Sequence, residues 1–367
     1  LMSTLKVTNI ESPSGGGVNA KIADVNGGQL SNRNLIINGE HNVNQRDLGT
    51  FTPANGNFAT DRWKCELSDA SKYTAGQSST APDGYRKSLK ITSSSAFTPA
   101  ADDYFLVTQD IEGFTSAPTA IGSSAAKSIT LSFWVRSSLT GTFACAIRNS
   151  GFDRSHIKEY TISTADTWEH KTVTFPGITD GTWNTGSTVG IRVNWSLGAG
   201  SDFHGAANTT LNTNDFATSS STNVVATNGA TWFLTGVQLE VGEVATAFEH
   251  RSYGDELVRC QRYYVELSGG NDAFTYSGKG QGSDSVDVTI PLCVPLRASP
   301  TMNAIDSRAF TDSSSFAASS STTPTVIQFS ANNPHLAINC GGFSGLTNNE
   351  VSVWGPKSNA LEISAEL

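Results

Sequence analysis

The sequence predicts an all-β protein whose main body is an antiparallel β-sandwich. Apolar and polar side chains alternate in many short segments, and Gly, Asn, Asp or Ser residues separate those segments. This is the pattern of half-buried strands joined by turns. The 367 residues include seven Trp and 18 Phe, which is enough aromatic bulk for a packed core, whereas only 16% of the residues are charged. Both observations favour a folded protein with a polar, weakly charged surface.

The first predicted element is an extended N-terminal arm over residues 1–33. Leu5 and Val7 alternate as in a strand, but the glycine-rich segment "SPSGGGVNA" follows them, and the arm has too few apolar residues for a core. We therefore expect the arm to pack on a partner chain, with Leu5 and Val7 in a trimer interface. The alternative is an unpacked tail.

The main β-domain is predicted over residues 34–250. In "KSITLSFWVRSS" every second side chain from Ile129 to Val135 is apolar, and "STVGIRVNWSLG" repeats the pattern from Val189 to Trp195. In "ATWFLTGVQLEVG" the residues predicted to share the core face are Phe233, Val237 and Leu239. Two polar segments, 205–230 and 311–325, are predicted to be long surface loops, which are usually functional or mobile.

The side chains that alternate with the predicted core residues point to the other face of each strand, and they offer a candidate carbohydrate-binding surface. Such a surface needs flat aromatic rings to pack on sugar rings and Arg, Asn or Gln side chains to bond the hydroxyls. If both faces of these strands were buried, the same residues would belong to the core instead. Trp183, in the turn-rich segment "TDGTWNTG", is predicted to be exposed at a loop tip. The candidate residues are Trp134, Arg136, Trp183, Arg192, Asn194, Trp232 and Gln238.

A short helix over residues 251–264 is predicted to link the sandwich to a smaller C-terminal β-domain over 265–367. Ser252 stands three residues before Asp255, which is the spacing of a helix capping box. Alternation resumes after the helix, in segments such as "DSVDVTIPL", and predicts strands again. The residues predicted to share one helix face are Leu257, Cys260 and Tyr264.

Sequence motifs of common enzymes are absent. No G-x-S-x-G, H-E-x-x-H or Walker sequence occurs, and the six histidines are never paired at metal-ligand spacing. We therefore expect no enzymatic activity and no cofactor, although Asp and Asn oxygens leave room for a structural calcium ion. Because paired carboxylates can hydrolyse glycosidic bonds, a polysaccharide depolymerase stays open as a less favoured alternative.

Charge and cysteine content bear on partners and location. The 24 Lys and Arg residues against 33 Asp and Glu give a formal net charge of −9 without a basic run, so nucleic acid is not an expected partner. The five cysteines are widely spaced, odd in number and without a C-x-x-C pair, which predicts free thiols made in a reducing compartment. No apolar run of 18 residues and no signal-peptide pattern occurs, so we expect no membrane insertion.

Several phrases of the sequence, taken in order, resemble the carbohydrate-binding-module-like jelly roll of phage tail fibres and related virion proteins, particularly of marine phages. They are "NLIINGEHNVNQR", "FATDRWKC", "LSFWVRSS", "AIRNSG", "TWEHKTVTFPG", "GVQLEVGEVATAFEHRSYGDELVRCQRYY" and "VPLRASPT". The resemblance covers roughly residues 2–300 and is most specific at 236–264. It departs from the usual pattern at "TAFEH", where a proline is common.

The resemblance implies a jelly-roll β-sandwich in a trimeric, non-enzymatic phage tail fibre. Such a fibre is assembled in the host cytoplasm, attaches to other tail proteins through its N-terminal arm, and recognises a host-surface glycan or another receptor during adsorption. Fold alone does not fix function, so a virion adaptor or decoration fibre that binds other virion proteins and no sugar is the alternative.

A trimer would give the predicted helix a role at the threefold axis. Leu257, Cys260 and Tyr264 would then meet their copies there. The side chains predicted to form ion pairs between the chains are Arg251, Arg259 and Arg262 with Asp255 and Glu256. The alternative is a helix that packs only on its own sandwich.

Overall fold

The computed structural model consists of two β-sandwich units joined by one helix. The predicted all-β, antiparallel fold class is confirmed. The predicted N-terminal arm, with Leu5 and Val7, lies outside the described residues. The structure describes residues 32–267, 276–304, 307–311, 315–318, 322–344, 346, 351–356 and 360–367.

The first unit is a jelly-roll β-sandwich. Its strands are β1 (Phe58–Thr60), β2 (Trp63–Leu67), β3 (Tyr73–Ser78), β4 (Ser88–Ser93), β5 (Tyr104–Glu112), β6 (Ile129–Ser137), β7 (Gly141–Arg148), β8 (Ser155–Ile162), β9 (Glu169–Phe175), β10 (Val189–Ala199), β11 (Thr210–Leu211) and β12 (Thr231–Val241). A seven-stranded sheet has the spatial order β1-β2-β5-β10-β7-β8-β11, and a five-stranded sheet has the order β3-β4-β12-β6-β9. A single helical turn, α1 (Gly113–Ser116), follows β5.

The core of this unit lies between the two sheets. The alternation predicted for β6 is confirmed, because every second side chain from Ile129 to Val135 is buried in that core. Trp195 occupies its centre, where its ring lies 5.6 Å from the ring of Trp63 and meets Phe133 edge-on at 5.5 Å. Large rings from both sheets therefore interdigitate, as a packed sandwich requires.

Strand β12 departs from strict alternation at a β-bulge. Its register with β6 shifts around Gly236, whose φ is 59°. Because the bulge adds one residue, even-numbered side chains enter the core before it and odd-numbered ones after it. Val237 is in the core as predicted, but Phe233 lies on the outer face beneath Arg136. Trp232 is instead fully buried, so its predicted role as a glycan contact was wrong.

Helix α2 (Tyr253–Gln261) begins where the capping pattern predicted. The side chain of Ser252 accepts a hydrogen bond of 3.1 Å from the backbone N–H of Asp255, which satisfies one of the free N–H groups at the helix start. Tyr264 already belongs to the strand that follows the helix. The helix is therefore shorter than the predicted segment 251–264.

The helix packs on its own chain, which corrects part of the predicted trimer contact. Cys260 and Tyr264 are fully buried within the chain, and Leu257 is half-buried. Two of the arginines predicted to pair between chains form ion pairs within one chain: Arg251 pairs with the predicted Glu256 at 3.5 Å, whereas Arg262 pairs with Glu112, which was not predicted, at 2.6 Å. Arg259 donates to Asn32 of the same chain at 2.9 Å, and Asp255 accepts from Ser252.

The second unit combines a small and a large antiparallel sheet. Its strands are β13 (Tyr264–Leu267), β14 (Tyr276–Gln281), β15 (Ser285–Pro291), β16 (Thr301–Met302), β17 (Ser307–Thr311), β18 (Ser315–Ala318), β19 (Thr325–Gln328), β20 (His335–Cys340), β21 (Val351–Pro356) and β22 (Leu361–Ser364). The sheet orders are β13-β22-β16 and β18-β17-β21-β14-β15-β20-β19. Among the described residues, the second core runs from Val265 to Ala365, and the first core ends at Leu239. The predicted helical segment 251–264 lies between these cores in the sequence.

Charged and aromatic side chains join the two units. The carboxylate of Glu366 accepts hydrogen bonds from Arg46, at 3.2 Å, and from Arg62, both of which belong to the first unit. The guanidinium groups of Arg46 and Arg62 lie 3.6 Å from the ring centres of Tyr264 and Tyr263, respectively. Cation–π contacts and ion pairs therefore hold this joint together.

Candidate functional site

In the first unit, the outer face of the seven-stranded sheet carries a cavity of about 360 Å³. Odd-numbered side chains of β2, β5, β7 and β10 fill the core, so even-numbered ones project from this outer face. The polar segment after β10, predicted to be a surface loop, folds back over the sheet and supplies one wall. The lining residues are Asn55, Gly56, Lys64, Glu66, Tyr104, Leu106, Arg148, Phe152, Phe203, Asn214 and Phe216.

A cluster of ion pairs forms the floor of the cavity. The ammonium group of Lys64 lies 3.0 Å from Glu66 and 2.7 Å from Asp110. The guanidinium of Arg192 reaches the same two carboxylates at 3.2 and 3.1 Å, and Arg148 reaches Glu66 at 3.3 Å. Burial raises the pKa of Glu66, but the neighbouring cations outweigh burial and hold that pKa below its usual value. Glu66 is therefore ionised near neutral pH.

Arg148 connects this floor to the wall of the cavity. Its Nε donates to Asn194 at 2.9 Å, and its Nη1 donates to Asn214 at 2.7 Å. The side chain is only 2% exposed, so these bonds fix its position. In the part of the chain that the structure describes, the amide nitrogen of Asn194 and the hydroxyl of Ser196 are buried without a hydrogen-bond partner. The polar face thus has donors beyond those that its own network uses.

Aromatic rings form one side of the cavity. The rings of Phe203 and Phe216 stack at 5.1 Å, and Tyr104 meets Phe203 edge-on at 5.6 Å. Phe216 also lies 5.1 Å from the guanidinium carbon of Arg148. These rings provide an apolar surface beside a charged one, which is the usual composition of a small-ligand site.

Phe152 also lines the cavity, and its backbone conformation is unusual. It stands in the turn between β7 and β8 with a φ of 56°, in the left-handed region, and its side chain is 41% exposed. Its ring lies 4.7 Å from the guanidinium carbon of Arg192 and 5.4 Å from that of Arg148. The side chain of Asn149 holds the turn, because its Oδ1 accepts from the backbone N–H of Asp153 at 3.1 Å. An exposed ring in a strained backbone is typical of a functional site.

The structure divides the predicted carbohydrate-binding residues between two faces. Arg192 belongs to the ion-pair cluster of Lys64 and Glu66, and Asn194 accepts from Arg148, but neither predicted residue lines the cavity itself. Trp134 and Arg136 lie on the outer face of the five-stranded sheet, where the ring of Trp134 is 5.2 Å from that of His170. The expectation of one shared face was wrong, because β6 and β10 belong to different sheets.

Two further predicted residues are buried and do not form a surface. Trp183 is only 8% exposed and donates its indole N–H to the backbone carbonyl of Asp180 at 3.0 Å, so the predicted exposed loop tip was wrong. Gln238 is fully buried; it donates to Glu240 at 2.8 Å and accepts from the backbone N–H of Glu249 at 2.8 Å. Gln238 therefore anchors the segment that leads to helix α2.

None of the residues that line the cavity was among the predicted carbohydrate-binding residues. Lys64 and Glu66 alternate with core residues in "WKCEL", and Arg148 ends the strand before "NSGFD", which contains Phe152. Their parity could have identified them as outward-facing. Their proximity depends on the pairing of β2, β5, β10 and β7, which are distant in sequence.

The cavity can form hydrogen bonds and ring contacts, but its lining is poorly suited to acid catalysis. A glycosidase needs a carboxylic acid with a raised pKa, whereas the pKa of Glu66 is lowered. Within the described ranges, no group of three or more His, Cys, Asp or Glu side chains is placed to hold a metal ion. No helix of those ranges is long and apolar enough to cross a membrane.

Comparison with known proteins gives similarity in fold only. No protein-family model and no curated protein matches the chain. Over 57% of its length it is similar to 21% of the chain of the enzymatically active domain of bacteriophage CBA120 tailspike protein 4, at 13% identity and a TM-score of 0.32. It is also similar to 99% of TmCBM61 in complex with β-1,4-galactotriose, at 10% identity over 57% of this chain and a TM-score of 0.29. A CBM4 structure aligns over 56% of this chain and 97% of its own, at 15% identity and a TM-score of 0.29. Scores this low assign no function to the chain.

Proposed function

We propose that the chain is a non-enzymatic glycan-recognition protein and that the cavity on the seven-stranded sheet binds one sugar unit. The observation that carries this proposal is the combination of an ion-paired polar floor with aromatic walls in a cavity of about 360 Å³. Sugar rings have apolar faces and polar edges. The rings of Phe152 and Phe203 suit the faces, and the polar floor around Arg148 suits the edges.

The rigidity of the floor supports binding over catalysis. Each cation of the floor is held by at least one carboxylate, and Arg148 is additionally held by two asparagines. Such a preorganised surface loses little side-chain freedom when a ligand binds. The lowered pKa of Glu66 keeps its carboxylate ionised, and an ionised carboxylate does not donate the proton that a depolymerase must deliver.

The wider role that we propose is host adsorption by a trimeric phage tail fibre assembled in the host cytoplasm. The sequence phrases that resemble tail-fibre jelly rolls support it. Helix α2 also presents apolar side chains to solvent, because Tyr253 is 59% and Val258 is 40% exposed, and these can contact other copies of the chain. Three weak sites on one fibre would bind a dense glycan surface with avidity.

A matched pair of phenylalanine variants tests the glycan site. Phe152→Ala removes an exposed ring at the cavity, whereas Phe114→Ala removes a 62% exposed ring on α1, which does not line the cavity. On a glycan array and in adsorption to host cells, we expect Phe152→Ala to weaken binding roughly tenfold, because an aromatic contact with a ligand commonly contributes over 1 kcal/mol. Phe114→Ala should bind as the unchanged protein does.

Three outcomes would contradict the proposal. Absence of binding to glycans and cells, together with tight binding to another virion protein, would favour the alternative role of a virion adaptor or decoration fibre. Equal binding by both variants would exclude the cavity as the site. Release of reducing ends from a host polysaccharide by the purified protein would support the alternative function of a polysaccharide depolymerase.

A further inference from the structure

We infer that the sugar unit bound in the cavity carries an anionic group, a carboxylate or a sulfate. This inference rests on the proposed function and specifies the ligand of the same site. It follows from counting which hydrogen-bonding groups of the cavity are already occupied by the protein itself. The asparagine and lysine side chains of the lining keep donors available, the carboxylate of the lining does not stay available as an acceptor, and the charged floor carries more positive than negative charge.

The carboxylate of Glu66 has no acceptor capacity left for a ligand. A carboxylate offers about four lone-pair positions. In Glu66 they face the ammonium of Lys64 at 3.0 Å, the guanidinium groups of Arg148 and Arg192 at 3.3 and 3.2 Å, and the hydroxyl of Thr108 at 3.3 Å. The acidic group of the cavity lining is therefore committed to the fold.

The asparagines of the lining offer their donor ends. The Oδ1 of Asn214 accepts from Arg148 at 2.7 Å, and the Oδ1 of Asn55 accepts from the backbone N–H of Leu67 at 3.0 Å. Each side chain then has its NH₂ group left for a ligand. The ammonium of Lys64 adds a charged donor to the same lining, and the Tyr104 hydroxyl can donate as well as accept.

The formal charge of the floor favours an anion. Three cations, Lys64, Arg148 and Arg192, face two carboxylates, Glu66 and Asp110, so the cluster carries three minus two, or one positive charge.

A neutral sugar would match this lining poorly. Every hydroxyl is both a donor and an acceptor, so a neutral sugar needs acceptors on the protein for its own protons. A carboxylate or sulfate only accepts, and charge-assisted bonds from ammonium and amide donors to it are stronger than neutral ones. The aromatic walls can still pack on the ring that bears the anionic group.

Matched polysaccharides test the inference with the full chain. The acidic probes are polygalacturonate, polymannuronate, polysialate and a sulfated galactan; each is compared with its own carboxyl-reduced or desulfated form, which keeps the linkages and removes the charge. By biolayer interferometry we expect at least one acidic probe to bind roughly tenfold or more tightly than its neutral form. This preference should shrink as salt rises from about 50 to about 500 mM, because salt screens the attraction.

A charge-matched pair of variants locates the effect. Asn214→Asp keeps the acceptor for Arg148 but replaces the free donor of the cavity with a negative charge. Asn208→Asp makes the same change outside the cavity, in an exposed residue whose side chain accepts from Lys158 at 2.8 Å. Asn214→Asp should weaken binding of the acidic probe roughly tenfold, and Asn208→Asp should leave it within about twofold.

The outcomes separate this inference from the proposed function. Preference for a sulfated or a carboxylated probe supports the inference and tells which anion is bound. Equal or tighter binding of the neutral forms overturns the inference and leaves glycan recognition standing. Equal loss in both asparagine variants also overturns it, because the charge would then act from a distance. Failure to bind any glycan overturns the proposed function itself.

Discussion

The hydroxyl of Tyr263 donates a hydrogen bond of 2.7 Å to the carboxylate of Glu112. Tyr263 stands between helix α2 and the second unit, whereas Glu112 ends strand β5 of the first unit. Both side chains are almost fully buried, and Arg262 completes the contact with two bonds to the same carboxylate at 2.9 and 2.6 Å. The joint between the units thus depends on a buried carboxylate with three donated bonds.

Removal of this hydroxyl should weaken the joint. Tyr263→Phe keeps the ring against Arg62 but takes one donor from the buried Glu112 carboxylate. We expect the free energy of unfolding to fall by about 1–3 kcal/mol, measured by urea denaturation. Tyr253→Phe, at a 59% exposed tyrosine, is the control and should change little. Equal midpoints for the two variants would show that the hydroxyl bond does not stabilise the joint.

Acid should destabilise the protein through His41. Burial lowers the pKa of this fully buried histidine to about 3, so it is neutral in the folded chain, whereas it protonates near pH 6.5 when unfolded. The unfolded state therefore binds more protons between these values, and stability is lost as pH falls below about 6.5. From pH 7 to 4.5, His41 should contribute a loss of about 2–3 kcal/mol.

Variants at two histidines isolate that contribution. His41→Asn suits the left-handed backbone at this position, where φ is 55°, and removes the titrating group. Its loss of stability between pH 7 and 4.5 should be smaller than that of the unchanged protein. His335→Asn, at an exposed histidine, should leave the pH dependence intact. If both variants lose stability equally with acid, His41 does not titrate as its burial implies.

Thiol reactivity should distinguish one cysteine from the other four. Cys293 is exposed, whereas Cys65, Cys145, Cys260 and Cys340 are buried. Burial raises the pKa of Cys65 and of Cys340 to about 12, so their thiolates are scarce near neutral pH. A thiol reagent should modify one group rapidly in the native protein, none in Cys293→Ser, and all five after denaturation of the unchanged chain. Rapid modification of native Cys293→Ser would contradict this burial pattern.

The bulge in β12 should not tolerate a side chain at Gly236. The φ of Gly236 is 59°, a backbone conformation that is strained for a residue with a side chain. A Cβ placed there would also lie 2.8 Å from the ring of Tyr85. We expect Gly236→Ala to lower the free energy of unfolding by about 1–3 kcal/mol. Gly186→Ala, where a Cβ would meet nothing within 4 Å, is the control. A thermal melt that shifts no further for Gly236→Ala than for Gly186→Ala would show that the bulge adapts.

The exposed face of helix α2 provides the test of the proposed trimer. Val258→Asp places a charge at a 40% exposed valine without disturbing the buried Cys260. We expect light scattering to report a trimer for the unchanged protein and smaller species for the variant, because a buried charge opposes association. The charge-neutral control is Val258→Thr. A trimer that persists in Val258→Asp would exclude this face as the contact.

Prediction from the sequence succeeded where the pattern is local. The alternation of β6 and the cap at Ser252 depend on neighbouring residues, so both were predicted correctly. The prediction of which β12 side chains face the core failed at Trp232. A single bulge at a glycine exchanges the inward and outward side chains of the strand, and alternation alone does not reveal a bulge.

The candidate site was less predictable for a topological reason. The residue types expected of a binding face occur on both sheets, and only strand pairing decides which of them meet. Arg192 meets Glu66 across β10, β5 and β2, whereas Trp134 faces the opposite direction on β6. The prediction for Trp183 failed for a different reason. The turn-rich sequence around it favoured exposure, but its ring packs in the core.

The pairing of the first and last strands of the second unit has a practical consequence. Tyr264 in β13 lies opposite Ser364 in β22, so the first and last described strands of this unit lie side by side. We therefore expect that another domain whose two ends are adjacent could be grafted onto the sandwich in place of this unit. Such a graft would need to supply an acidic partner for Arg46 and Arg62 in place of Glu366.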